Sequence, residues 1–86
     1  AIALDQNADF AYFNRGNAKF ELKDYKGARL DYNKTILLNK EYAEAFCGRG
    51  KAKYHLGDKD GACKDLKKSR RLNFEEAGEV IKKLCK

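Results

Sequence analysis

Cysteine, histidine and carboxylate side chains are where chemistry would start in this chain of 86 residues, and their spacing decides against most of it. Cys47, Cys63 and Cys85 contain no C-x-x-C pair, and His55 alone does not complete a zinc site. Their odd number argues against a full disulfide framework, so the expectation is reduced thiols filling small gaps. Cys47 and His55 stand on what reads as one helix, about 12 Å apart along its axis. That is too far for a hydrogen bond, and a cysteine–histidine pair is rejected. No acid–histidine–nucleophile set assembles around His55, which has no nearby serine. No phosphate-binding glycine loop and no acidic metal cluster is present. The expectation is a protein that is not an enzyme and carries no cofactor. What the chain does offer is recognition chemistry. Asn17 has both a donor and an acceptor and can bridge a peptide backbone. Lys51 and Lys82 can pair with a carboxylate, and Phe13, Phe20 and Tyr54 can take a partner's apolar side chains.

Composition bounds the rest. The formal net charge is +6 and uneven: residues 43–86 hold twelve Lys/Arg against seven Asp/Glu. Such an excess can attract acidic peptides, nucleic acid or anionic lipid, although a solvated surface is the plainer reading. Proline, tryptophan and methionine are absent, and charges of both signs are well mixed, which suits exposed helices rather than disorder. No apolar run approaches the ~18–20 residues of a membrane span. The opening Ala1-Ile2-Ala3-Leu4-Asp5 lacks a basic stretch and a long apolar run, so it does not read as a leader. The chain begins in what reads as mid-helix, and the expectation is a fragment of something longer.

The elements that must position these residues are given by a repeat. The stretch from Tyr12 to Ala28 returns 34 residues later, without a gap, from Phe46 to Ala62. Arg15/Arg49, Gly16/Gly50, Ala18/Ala52, Lys19/Lys53, Leu22/Leu56, Asp24/Asp58, Gly27/Gly61, Ala28/Ala62 and Asp31/Asp65 are identical pairs. A fixed period in this range is the signature of a stacked repeat architecture. One domain spanning 1–86 is expected: residues 1–7 as the tail of a preceding repeat, 8–41 and 42–74 as two repeats, and 75–86 as a C-terminal capping helix. In the first segment Ile2 matches Ile36 and Leu4 matches Leu38.

Helices are expected over about 9–23, 25–38, 43–56, 59–72 and 75–85. Asp24 is a good N-cap after the Lys23-Asp24 turn, Gly57 suits a left-handed C-cap, and Asn39-Lys40 ends the second helix. At ~100° per residue, Ala11, Tyr12, Arg15, Gly16, Ala18, Lys19 and Leu22 share one side of the first helix. Phe10, Phe13, Asn14, Asn17, Phe20 and Glu21 share the other, so both faces are occupied. The fourth helix is polar, with Lys64, Lys67, Lys68, Arg70 and Arg71 on an outer basic surface. The last carries an apolar stripe of Ala77, Val80, Ile81 and Leu84, able to cover the end of a stack.

These residues resemble the tetratricopeptide repeat (TPR) family over essentially the whole chain. The aromatics Tyr12 and Phe46, the glycines Gly16 and Gly50, and the alanines Ala18 and Ala52 carry the likeness, with Asp24 and Asp58 at the turn and Ala28 and Ala62 beyond it. Two positions depart from the pattern: Arg15 and Arg49 replace a leucine, and Lys40 and Phe74 replace a repeat-final proline. The resemblance implies an all-α fold, a right-handed superhelix of antiparallel helix pairs whose first helices line a concave groove. It also implies that the groove holds a peptide or helical segment of a partner protein.

The face with Phe10, Phe13, Asn14, Asn17, Phe20 and Glu21 would then line that groove, joined by Glu44, Cys47, Gly48, Lys51, Tyr54 and His55, and by Lys82 and Cys85. Phe13 and Phe20 either line it or fill space between helices. The carboxylate clamp of chaperone-binding members is not expected, because Phe13 stands where it needs a lysine, Gly48 where it needs an asparagine and Gly78 where it needs another lysine. Two other functions compete. One is a structural segment of a longer array that self-associates, as a homodimer through an open N-terminal end bearing Tyr12, Phe13, Ile2 and Leu4. The weaker one is RNA binding by the basic outer surface, which has no aromatic among its cations to stack bases.

Overall fold

Turn chemistry repeated at the 34-residue spacing sets the helix boundaries. In a computed structural model, residues 8–85 are described, and they form five helices. These are α1 (Ala8–Glu21), α2 (Tyr25–Leu38), α3 (Ala43–His55), α4 (Lys59–Arg71) and α5 (Glu76–Leu84). The segment expected as a preceding helix tail, with Ile2 and Leu4, lies outside the described residues. Asp24 caps α2 by accepting a hydrogen bond from the Gly27 N–H at 3.0 Å, and Asp58 caps α4 from the Gly61 N–H at 2.9 Å. Before each cap the backbone turns left-handed, at Lys23 (φ 65°) and at Gly57 (φ 92°). Asn73 does the same at φ 76° before α5. Helices α1, α3 and α4 therefore stop one or two residues short of the expected ends, since a left-handed residue cannot continue a right-handed helix, whereas α2 ends at Leu38 as expected.

Each helix packs on the next in the chain, giving adjacent pairs and a body of 45 × 27 × 16 Å. Small residues bring the axes close. Ala28, Ala45, Ala52, Ala62 and Ala77 are fully buried. Tyr32 and Leu66, the equivalent positions of the two repeats, are the largest fully buried side chains. Two apolar clusters result. Ala28, Tyr32 and Ala45 hold Phe13, Phe20, Ile36 and Tyr42 around them. Cys47, Leu66 and Ala77 hold Phe74, Val80, Ile81, Leu84 and Cys85. The stripe of α5 thus packs against the cluster formed by Cys47 of α3 and Leu66 of α4.

Polar groups interlock the pairs in the same register. Thr35 Oγ1 donates to the carbonyl of Asp9 at 3.2 Å, and Ser69 Oγ to that of Ala43 at 2.6 Å, so each second helix is pinned to the first turn of its partner. Arg15 forms a bidentate pair with buried Asp31, with Lys19 Nζ at 3.3 Å from the same carboxylate. Arg49 repeats this on Asp65, with Lys53 Nζ at 3.0 Å. Arg49 also donates from Nη1 to Asn33 Oδ1 at 2.9 Å, joining the second repeat to the first. The guanidinium beside it holds the Asp31 carboxyl below the usual carboxylate range, against the opposing effect of burial.

The cysteines correct one expectation. Cys63 and Cys85 are joined by a disulfide, their Cα atoms 5.8 Å apart, which ties α4 to the residue after α5. An odd count excludes complete pairing but not one bridge, and α5 folds back along α4 to bring these two together. Cys47 is the free, buried thiol that the sequence implied.

Candidate functional site

Helical spacing sets one face of α1 against one face of α3. Phe13, Asn17, Phe20 and Glu21 share the α1 face; Glu44, Cys47, Gly48 and Lys51 share the α3 face. Between them lies a cavity of about 340 Å³, floored by Tyr32 of α2 and closed on one side by Phe74, Glu76 and Val80. Tyr32 reaches this position because Gly48 has no side chain: a Cβ there would come within 2.6 Å of the ring. Its hydroxyl donates to Asn17 Oδ1, which orients the amide. Burial pushes the Tyr32 phenol up to about 12, so it stays a neutral donor through the physiological range.

The remaining chemistry is that of a binding surface. Burial raises the Cys47 thiol pKa, with Lys51 opposing in part, so the sulfur is held away from the thiolate a nucleophile needs. Lys51 Nζ lies 5.5 Å from the centroid of the Phe20 ring, a cation–π contact. Phe20 meets Tyr25 edge-on at 5.1 Å, and Tyr25 stacks on His55 at 4.2 Å with ring planes 6° apart. Tyr54 meets His55 edge-on at 6.1 Å. His55 is therefore an aromatic support beside the cavity, packed on the rings of Phe20, Tyr25 and Tyr54.

The structure brings together Phe13, Asn17, Phe20, Glu21, Glu44, Cys47, Gly48 and Lys51, all on the face read from sequence. Tyr54 and His55 flank this group through their ring contacts. Phe10 and Asn14 are exposed on the same face of α1 without bordering the cavity. Lys82 stands apart, in a shallow hollow with Arg70, Asn73, Glu75 and Glu79. Cys85 is taken by the disulfide and packs in the second apolar cluster, not in the groove. Phe13 and Phe20 do both things left open: they pack against the Tyr32 cluster and present ring surface to the cavity.

Sequence reasoning missed Tyr32, Phe74, Glu76 and Val80. Tyr32 reads as a packing residue of a second helix, and nothing local says that its ring penetrates to the opposite face. Phe74 carries a faint signal, being a large aromatic where the repeat pattern has a proline. The basic residues Lys64, Lys67, Lys68, Arg70 and Arg71 are all exposed on α4. A hollow on that side is lined by Lys67, Arg70, Arg71 and Ile81, with no aromatic ring to stack a base. Among the described residues no group of His, Cys, Asp and Glu is placed to hold a metal ion. No described helix is long and apolar enough to cross a membrane.

Residues 16–57 match the family model for the TPR repeat. The match begins at Gly16, takes in both helices of the first pair-to-pair contact and ends at the Gly57 turn. Comparison with curated proteins gives no match.

Proposed function

Since the chain is a TPR-type helical-repeat protein, and such repeats are generally non-catalytic protein–protein interaction modules, we propose that it holds a peptide or helical segment of a partner protein in the groove between α1, α3 and α5. In this reading residues 8–41 and 42–74 are the repeats and residues 75–86 the cap. The observation that carries it is the aromatic cavity itself. Phe13, Phe20, Tyr32 and Phe74 surround a space large enough for one or two side chains, and Asn17 stands at its wall. The Asn17 oxygen is occupied by Tyr32, which leaves the amide N–H groups to donate to a partner's backbone carbonyl. Labelled protein titrated with peptides from a random displayed library tests this: amide shifts should map to α1, α3 and the start of α5. Asn17→Ala should weaken a bound peptide by about 1–3 kcal/mol, as expected for a lost hydrogen bond to a buried group. Unchanged affinity would remove Asn17 from the site.

A second reading has its own observation. Ala45 and Ala52 of α3 are fully buried, whereas the equivalent Ala11 and Ala18 of α1 are exposed, beside Tyr12. An apolar helix face of this kind suits a second copy of the chain, meeting it about a two-fold axis. Sedimentation equilibrium should then show a weak, concentration-dependent dimer that Ala18→Glu abolishes. A monomer at millimolar concentration rejects this reading, as does a dimer indifferent to that substitution.

A further inference from the structure

The groove and the rest of the surface carry opposite charge, and this narrows what the groove can hold. The chain as a whole has a formal net charge of +6. The cavity, by contrast, is bordered by Glu21, Glu44 and Glu76 against the single cation Lys51. The carboxylates of the helix interfaces are satisfied: Asp31 is paired with Arg15 and Lys19, and Asp65 with Arg49 and Lys53. Among the described residues Glu21, Glu44 and Glu76 form no salt bridge, and all three are exposed. Lys51 forms no salt bridge with any of the three among the described residues, and its ammonium lies over the Phe20 ring. The site is the aromatic cavity; the carboxylates on its rim decide what enters it.

Resting on the groove reading above, we propose that the occupant is a peptide segment presenting Lys or Arg beside an aromatic or aliphatic residue. The apolar side chain fills the space between Phe13, Phe20, Phe74 and Val80, and the cation lies at the rim among carboxylates that form no salt bridge among the described residues. A Lys or Arg stem also packs well on ring faces, which the same walls supply. An acidic segment would set its carboxylate against three unpaired ones with one lysine in compensation. The exposed cations of α4 act on the same partner by repelling it, so a basic segment is steered away from that surface and toward the groove.

The test pans a displayed library of random 15-residue peptides, a length of about four helical turns, against the intact chain and maps each binder by amide shifts. Groove-mapped binders are expected to carry net positive charge with at least one aromatic or aliphatic anchor. Their affinity should fall about tenfold in Glu21→Gln/Glu44→Gln/Glu76→Gln, a variant of exposed side chains whose circular dichroism and melting serve as the folding check. The loss should shrink as salt is raised through the range where the Debye length drops below about 8 Å. Groove-mapped binders that are acidic or neutral, or basic ones indifferent to the triple substitution, overturn the charge inference and leave the groove reading standing. A library whose binders all map elsewhere, or that yields none, overturns both.

Discussion

Gly16 and Gly50 occupy equivalent positions, yet they do not tolerate a side chain equally. A Cβ at Gly50 would lie 2.9 Å from the carbonyl oxygen of Ala62, which is backbone and cannot turn aside. At Gly16 the nearest atom is the edge of the Tyr32 ring at 3.0 Å. Gly50→Ala should therefore lower stability by about 1–3 kcal/mol, the usual cost of overpacking, partly offset by the ~1 kcal/mol alanine gains in a helix. Gly16→Ala should cost less; urea unfolding that ranks them the other way rejects the backbone argument. Tyr32 sets the alkaline limit. Its folded pKa of about 12 exceeds the unfolded value of about 10, so its contribution is complete below pH 10 and is lost as the pH rises toward 12. Tyr32→Phe should remove that alkaline loss while weakening the fold at neutral pH. Asp31 acts at the other end with the opposite sign. Its pKa is lowered, chiefly by the Arg15 hydrogen bond, so its stabilisation is present above the unfolded carboxylate value near 3.9 and fades as the pH falls below it. The packing glycines were legible, because a glycine repeated in mid-helix demands a close contact. The Arg15–Asp31 and Arg49–Asp65 pairs were visible only as repeated residues; that a spacing of 16 closes an ion pair follows from how the two helices cross, which no local pattern states.

Turns and caps are the elements that the sequence marks most plainly, because their chemistry is local. Asp24, Asp58 and Gly57 sit where their hydrogen-bonding and backbone preferences place them. The left-handed turn at Lys23 is the exception, since the equivalent position in the second repeat is Gly57. Lys23→Gly should stabilise the protein by up to about 1 kcal/mol by removing the Cβ strain of a positive φ. A destabilisation would mean that the lysine stem contributes packing that outweighs this. Helix α5 depends on a feature that local pattern could not reveal. The Cys63–Cys85 bridge closes a loop of 22 residues, and a loop of that size is worth about 3 kcal/mol on the chain-entropy account. Treatment with dithiothreitol, or Cys63→Ser, should lower the melting temperature by a similar amount, and the reductant should then add nothing to the variant. Equal melting curves with and without reductant would show that α5 is held by Val80, Ile81 and Leu84 alone.

At the scale of the whole molecule, the period of 34 residues makes the order and pairing of the helices readable, because each helix packs mainly on its neighbours in the chain, with α1 and α3 meeting across the groove as well. The groove was half legible for the same reason. Faces of α1 and α3 follow from helical spacing, whereas Tyr32, Phe74, Glu76 and Val80 arrive from other elements, by a depth of penetration and a fold-back that the period does not encode. The sulfur bridge gives this body a mechanical property. A load applied at the C-terminal end passes from Cys85 directly to Cys63 in α4 and leaves the intervening chain slack. The 22 residues it spans could otherwise extend by about 70 Å at ~3.4 Å each. Single-molecule stretching should accordingly give an unfolded contour about 70 Å longer under reducing conditions. With the bridge intact, the α5 segment behaves as a shackle: tension bypasses it and enters the protein at α4.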